Sequence, residues 1–228
     1  MLFRSDGLRR MVGNQEDVFF YITLMNEAYA HPGIEDAADK NAAAGILKGL
    51  YLLKAAAAKA KQPQVQLLGS GTILREVIAA AELLQADWGV AADVWSAPSF
   101  NELRREGLDA ERWNLLHPGD KPRASYVEQR LAERPGPIVA STDYMKIFAD
   151  QIRPFIPKGR SYKVLGTDGF GRSDSRAKLR HHFEVNRYWV VLAALRALAD
   201  EGAVKPAVVA EAMKKYGLSA DKPNPVTV

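Results

Sequence analysis

The chain has 228 residues, 47% hydrophobic and 25% charged, a composition typical of one large globular domain or of one domain with a remnant of another. Its 31 basic and 27 acidic residues are interspersed and leave a net charge of +4, so we expect no nucleic-acid partner, which would require basic residues on one face. The absence of cysteine excludes a disulfide scaffold and thiolate chemistry, and no apolar run reaches the roughly 18 residues of a membrane span.

The N-terminal part predicts one buried strand and a linker. Val18–Met25 is continuously apolar and rich in aromatic and β-branched residues, which is typical of a strand buried on both faces. The segment 31–40 contains proline, glycine and several charges and is interpreted as a linker. The first ten residues lack the apolar region and cleavage site of a signal peptide.

The segment Gly45–Lys61 is ambiguous, because its alanines favour a helix whereas Gly49–Lys54 could be a strand in a hairpin with the next one. Further strands are predicted at Gln64–Leu68, Ala92–Ser96, Pro137–Thr142 and Tyr162–Gly166. Helices are predicted over Thr72–Trp88, Ser99–Leu116, Tyr126–Glu133, Tyr144–Arg153, Ser175–Phe183, Arg187–Asp200 and Lys205–Tyr216. This alternation indicates an α/β fold with a mainly parallel sheet and helices on both faces.

The turn after the strand at Gln64–Leu68 lies where phosphate-binding loops occur. Leu74 stands where the dinucleotide fingerprint needs its third glycine, and Ser70 lacks the spacing of a nucleophile elbow. We therefore interpret the turn as structural, with Ser70 or Thr72 as the N-cap of the helix that follows.

Two other places are weaker candidates for a site. Asp143 and Tyr144 follow a strand end, the sheet edge where α/β proteins bind ligands, but Asp143 is also a natural helix cap. His117 ends a helix, where a cation can interact with the last carbonyl groups. The four histidines have no visible partners for a Ser-His-Asp triad.

The strongest site candidate is the glycine-bearing loop and helix start at 165–184. Its glycines allow a close backbone approach, and its hydroxyl, carboxylate and cationic groups could hold an anion or a partner's carboxylate. The candidate residues are Asp168, Gly169, Gly171, Arg172, Ser173, Asp174, Arg176, His181 and His182.

Arg172, Arg176 and Arg180 recur every four residues, which predicts one helical stripe. Two interpretations of this stripe stay open: a solvated face with salt bridges to Asp168 and Asp174, or a subunit or ligand contact. His181 and His182 are adjacent and point about 100° apart on a helix, so we expect no metal site there.

The segment 165–184 closely resembles the C-terminal portion of the homodimeric pyruvate dehydrogenase E1 component, in the transketolase-like thiamine-diphosphate enzyme family. Further similar stretches follow in the family's order, at Tyr21–Tyr29, Gln66–Gly71, Glu111–Pro118 and Ala140–Lys146. The resemblance implies a three-layer α/β/α fold with a mainly parallel, mixed sheet, and it favours a strand over residues 49–54. It also implies four parts: a non-family leader (1–5), a pyrimidine-binding-domain remnant with a helix and a strand (6–30), a linker (31–44) and a transketolase C-terminal-like domain (45–228).

The family decarboxylates pyruvate with thiamine diphosphate and Mg²⁺ and acetylates the lipoyl group of the E2 component. The family's Gly-Asp-Gly metal motif is absent here, because Lys121 follows Gly119-Asp120 and Thr167 precedes Asp168-Gly169. By resemblance, the essential glutamate and active-site histidines would precede residue 1. We therefore expect no catalytic, cofactor-binding or metal residue in this chain and no activity of the chain alone.

The resemblance further implies a structural and dimerising role in the cytoplasm. The expected partners are the rest of the E1 chain, a second E1 copy and the lipoyl-bearing E2, with neither nucleic acid nor membrane. Two alternatives are an interaction module that completes a split E1, and the E1 of another 2-oxo acid dehydrogenase.

Overall fold

The computed structural model describes residues 2–24 and 28–228. Within these ranges the strands are β1 (Tyr51–Lys54), β2 (Gln64–Gly69), β3 (Ala91–Ser96), β4 (Ile138–Ser141) and β5 (Tyr162–Leu165). The α-helices there are α1 (Leu2–Leu8), α2 (Ala42–Lys48), α3 (Leu74–Trp88), α4 (Phe100–Leu116), α5 (Tyr126–Ala132), α6 (Lys146–Asp150), α7 (Arg176–His182), α8 (Arg187–Asp200) and α9 (Ala207–Tyr216). No helix in these ranges is both long and apolar enough to cross a bilayer.

The strands form one mixed sheet in the order β1-β3-β2-β4-β5. The pairs β3–β2, β2–β4 and β4–β5 are parallel, and β1 is antiparallel to β3. The central strands are buried on both faces, which explains why their sequences are continuously apolar. The predicted α/β fold with a mainly parallel sheet is thus confirmed.

Two apolar cores cover the two faces of the sheet and define the three layers. On one face Leu67 and Val139 belong to a cluster with residues of α3 and α8, and α9 contributes Ala212. On the other face Leu68 and Ala140 belong to a cluster with residues of α4 and α5. Consecutive residues of each strand therefore point into different cores, as the alternation of a strand requires.

The strand favoured for residues 49–54 is present as β1, but the suggested hairpin with β2 is wrong. β1 pairs with β3, with Tyr51 opposite Ser96 and Leu52 opposite Trp95. The other edge of β1 is also used, because the backbone N–H groups of Ala38 and Asp39 donate to the carbonyls of Leu53 and Leu52, at 2.9 and 3.0 Å. Two residues of the predicted linker therefore lie against the sheet.

The strand predicted at Val18–Met25 is not formed in the described part of that segment, and Met25 lies outside the described residues. Residues 18–24 have no regular structure, and Phe19, Tyr21 and Leu24 are 87%, 86% and 88% exposed. An apolar strand needs neighbouring strands on both edges, and this segment pairs with no strand of the described sheet. Helix α1 (Leu2–Leu8) lies at the start of this part of the chain.

Several predicted boundaries shift. The helix predicted over Tyr144–Arg153 is reduced to α6 (Lys146–Asp150) and a 3-10 turn at Arg153–Phe155. The reason is that the carbonyl of Tyr144 accepts from the N–H of Thr167 at 2.9 Å, which holds the preceding segment against β5 instead of in a helix.

Candidate functional site

The first candidate site is the crevice between the carboxyl ends of β2 and β4, where the strand order changes direction. Internal contacts fill this crevice. The hydroxyl of Thr72 donates to Asp143 Oδ2 at 3.3 Å, and the N–H of Ser70 donates to the carbonyl of Ser141 at 3.2 Å. A Cβ at Gly71 would lie 3.0 Å from the Asp143 carboxylate.

These contacts bear on two sequence interpretations of the crevice. Ser70 holds the N-cap position of the 3-10 turn that leads into α3, but its side chain makes no cap bond, and the Thr72 hydroxyl bonds to Asp143. The N-cap position of α6 is held by Met145 instead of Asp143. The Asp143 carboxylate instead faces the turn that precedes α3. An anion at this helix start would have to displace a carboxylate that already occupies the place.

The second candidate site is the loop 166–175, and its first half is anchored. A Cβ at Gly166 would lie 2.7 Å from both the nitrogen of Lys146 and the carbonyl oxygen of Tyr144, so only glycine fits there. The N–H of Lys146 donates to Asp168 Oδ1 at 2.9 Å. Gly169 has φ of +109° and packs against the carbonyl of Pro225. Asp168 and Gly169 therefore have structural contacts.

The second half of the loop faces solvent. Gly171, Arg172, Ser173 and Asp174 are exposed, and the Asp174 carboxylate accepts from the N–H of Ser175 at 2.6 Å and lies 3.6 Å from Lys178 Nζ. The carboxylates of Asp168 and Asp174 thus contact Lys146, Ser175 and Lys178, not the arginines that one of the two open interpretations assigns to them.

The predicted stripe of three arginines is divided. α7 begins at Arg176, so Arg172 lies in the exposed loop and does not share the helix with Arg176 and Arg180. The guanidinium groups of Arg176 and Arg180 each donate to the hydroxyl of Tyr29 at 3.4 Å. The guanidinium of Arg75, in the first turn of α3, lies 4.1 Å from the centre of the Tyr29 ring. These arginines therefore hold the polypeptide that precedes the domain.

Glu76 is a buried carboxylate that sequence reasoning missed. It accepts from Arg187 Nε at 3.0 Å and from the backbone N–H of Arg187 at 3.1 Å, and it pairs with Arg180 Nη1 at 3.3 Å. Burial by itself would raise the pKa of Glu76, but its bonds to Arg187 and the charge of Arg180 hold the pKa below the ordinary value. A sequence signal existed, because Glu76 is three residues after Ile73 and four before Ala80, on the buried face of α3.

His181 and His182 diverge, as expected for helical neighbours. The His181 ring is tilted against Trp189, at 6.2 Å between centroids, and the His182 ring packs edge-on against Phe183. Both histidines line a shallow depression of about 440 Å³ together with Ala177, Lys178 and Lys222. Lys222 Nζ is held by the carbonyl of His182 and the carboxylate of Glu184, at 2.8 and 2.9 Å.

The residue closest to the family's metal motif makes a contact within the fold. This residue is Asp168, which has its carboxylate bonded to the backbone of Lys146. Within residues 2–24 and 28–228, no three histidine, aspartate or glutamate residues form a group that could hold a metal. His117 also has a structural place, with Nδ1 2.8 Å from the carbonyl of Trp113 at the end of α4.

The mixed α/β sheet and its carboxyl-edge turns agree with the comparison to protein families. The chain belongs to the transketolase-like TK C-terminal domain family, whose model matches residues 49–186. The match begins just before β1 and ends just before α8, so it includes the whole sheet, both candidate sites and α7.

The similar curated proteins extend the match beyond the domain. The chain is 59% identical over 224 residues to a pyruvate dehydrogenase E1 component from Cupriavidus necator, which covers 98% of this chain and 24% of that protein. It is 61% identical over 221 residues to one from Pseudomonas aeruginosa and 52% identical over 221 residues to one from Escherichia coli. The expected resemblance to the C-terminal portion of the E1 component is confirmed.

The chain spans about a quarter of the length of these relatives. Among solved structures, it is similar to a chain titled "Split gene transketolase, inactive beta4 tetramer", with 18% identity and a TM-score of 0.46, covering 67% of this chain and 43% of that one.

Proposed function

We propose that the chain is the C-terminal part of a pyruvate dehydrogenase E1 component. The single observation that supports this most strongly is the identity of 59% over 98% of the chain with the Cupriavidus necator protein of that name. The match extends over 224 residues and so includes all five strands and the helices on both sheet faces.

In this proposal the complete E1 decarboxylates pyruvate with thiamine diphosphate and Mg²⁺ and acetylates the lipoyl group of E2, the step between glycolysis and acetyl-CoA. The chain contributes structure, and the preceding part of the polypeptide supplies the residues that hold the cofactor. The absence of a Gly-Asp-Gly motif and the structural bond of Asp168 support this division. The proposal includes a cytoplasmic location and an E1 homodimer.

The exposed half of the loop 166–175 is proposed to border the dimer interface or the surroundings of the active site. Gly171, Arg172, Ser173 and Asp174 are exposed, while the neighbouring Asp168 and Gly169 are fixed by backbone contacts. Because Asp168 and Gly169 are held in place, the exposed polar residues of the loop can contact a partner with only a small loss of conformational entropy. Arg176, His181 and His182 lie on α7, which follows this loop, and belong to the same proposed region.

The test is to reconstitute activity from two pieces. The preceding three quarters of the Cupriavidus necator relative is produced separately and mixed with this chain, thiamine diphosphate, Mg²⁺ and pyruvate. We expect CO₂ release from the mixture and none from either piece. If the mixture is no more active than its separate parts, although the two pieces form a complex, the proposed function is contradicted.

A further inference from the structure

Large apolar side chains are exposed on three segments at the carboxyl edge of the sheet. They are Tyr144 and Met145 between β4 and α6, Ile147 in the first turn of α6, Phe170 in the loop after β5, and Val226 and Val228 at the C-terminus. We call these six residues the carboxyl-edge surface. Ile147 and Phe170 are 62% and 79% exposed. Exposure of large apolar side chains to water is unfavourable, because their burial would lower the free energy.

Backbone contacts show that the three segments lie side by side. The N–H of Thr167 donates to the carbonyl of Tyr144 at 2.9 Å, which joins the first segment to the second. A Cβ on Gly169 would lie 2.3 Å from the carbonyl oxygen of Pro225 and 3.3 Å from Val226 Cα, which joins the second segment to the third. The exposed apolar residues therefore belong to one region, and grouped apolar residues of this kind mark interaction sites.

The polypeptide that precedes the domain reaches it at the same edge. Tyr29 lies over Arg75, which is in the first turn of α3, six residues after the carboxyl end of β2. The turn before α3 also contacts the first segment of the surface, through the bond of Thr72 to Asp143. Tyr29, in the segment before the domain, therefore lies near the carboxyl-edge surface, and a preceding part of the polypeptide is tethered to this domain at a raised effective concentration.

We propose that the carboxyl-edge surface packs against the preceding part of the same polypeptide, the three quarters of the relatives' length that this chain does not span. This inference rests on the proposed function, because it takes that part from the E1 relatives. The exposed apolar residues at 18–24 have the same explanation, since they lie on the connection between the two parts.

The test measures binding of the preceding part of the Cupriavidus necator relative to the full 228-residue chain by sedimentation. The test variants are Ile147→Glu and Phe170→Glu, which place a charge in the contact. The matched control is Leu115→Glu, which is 78% exposed but lies near the end of α4, about 22 Å along that helix from its start at the carboxyl edge. Melting temperatures check that all variants fold, and we expect them to be unchanged, because each of these side chains is exposed.

We expect the unchanged chain and Leu115→Glu to bind equally, and each test variant to bind at least about tenfold more weakly. Equal binding by all four proteins overturns the inference and leaves the proposed function standing. A loss of self-association by the test variants with unchanged binding also overturns it, because the surface would then face a second copy. If the unchanged chain does not bind, the proposed function fails and the inference fails with it.

Discussion

At the scale of single residues, Glu76 connects three helices. It lies in the first turn of α3 and pairs with Arg180 of α7 and Arg187 at the start of α8. The carboxylate is buried whereas Arg187 is partly exposed, so solvent reaches one side of the group. Such a carboxylate matters for the free energy of unfolding mainly because its removal would leave the two arginines without their buried partner.

The change Glu76→Gln keeps the size of the side chain and removes its charge. We expect the free energy of unfolding to fall by about 3 kcal/mol, because two arginines lose their carboxylate in a poorly solvated place. The control is Asp174→Asn, whose contact with Lys178 is exposed and should contribute less than about 1 kcal/mol. Urea unfolding of both variants measures the difference, and equal effects would show that Glu76 has no special role.

The same carboxylate predicts a pH dependence. Because the pKa of Glu76 is lower in the folded chain than in the unfolded chain, its stabilisation is complete above the ordinary value of 4.5 and is lost as the pH falls through the folded value. The difference in unfolding free energy between the unchanged chain and Glu76→Gln should therefore shrink below about pH 4.5. A difference that stays constant from pH 7 to pH 3 would contradict this assignment.

The partners of Glu76 could not have been predicted from the sequence. The spacing from Ile73 to Ala80 places Glu76 on the buried face, but Arg180 and Arg187 lie 104 and 111 residues away along the chain. Local patterns indicate that a carboxylate is buried, whereas the ion pair depends on how α3, α7 and α8 pack.

At the scale of elements, the central strands were predictable and the edges were not. β2 and β4 are buried on both faces, so their composition alone predicts strands. Val18–Leu24 has the same composition but forms no strand, because composition does not show whether neighbouring strands exist. The pairing of β1 with β3 instead of β2 likewise depends on contacts between distant segments.

Residues 38–39 are expected to be necessary for full stability. A chain starting at Ala37 keeps the two bonds to β1 and the pair between Asp39 and Arg130 at 2.6 Å, whereas a chain starting at Asn41 loses them. Their loss should lower the unfolding free energy by about 2–3 kcal/mol and the melting temperature by about 5–10 °C. Calorimetry of the two chains measures this, and equal melting temperatures would show that the domain begins after Asp39.

The chain starting at Ala37 should also be more soluble than the full chain, because it lacks the exposed apolar residues 18–24.

At the scale of the whole molecule, the chain is expected to bind no thiamine diphosphate by itself. Its nearest equivalent of the family's metal motif has Asp168 bonded to the backbone of Lys146. Thermal melting with and without thiamine diphosphate and Mg²⁺ should give the same midpoint within about 1 °C, since only a ligand bound to the folded state raises it. A magnesium-dependent rise of several degrees would show a cofactor site in this chain.

The central claim is that this chain supplies structure to the proposed E1 component, while the preceding part of the polypeptide holds the cofactor. The most direct test replaces the last quarter of the Cupriavidus necator relative, the portion this chain matches, with residues 6–228 of this chain and measures pyruvate decarboxylation with thiamine diphosphate and Mg²⁺. The account predicts turnover of the same order as that of the unchanged relative, because this part has a structural role and its sequence is 59% identical to the portion that it replaces. A soluble, assembled chimera that releases no more CO₂ than the relative without its last quarter would contradict the account.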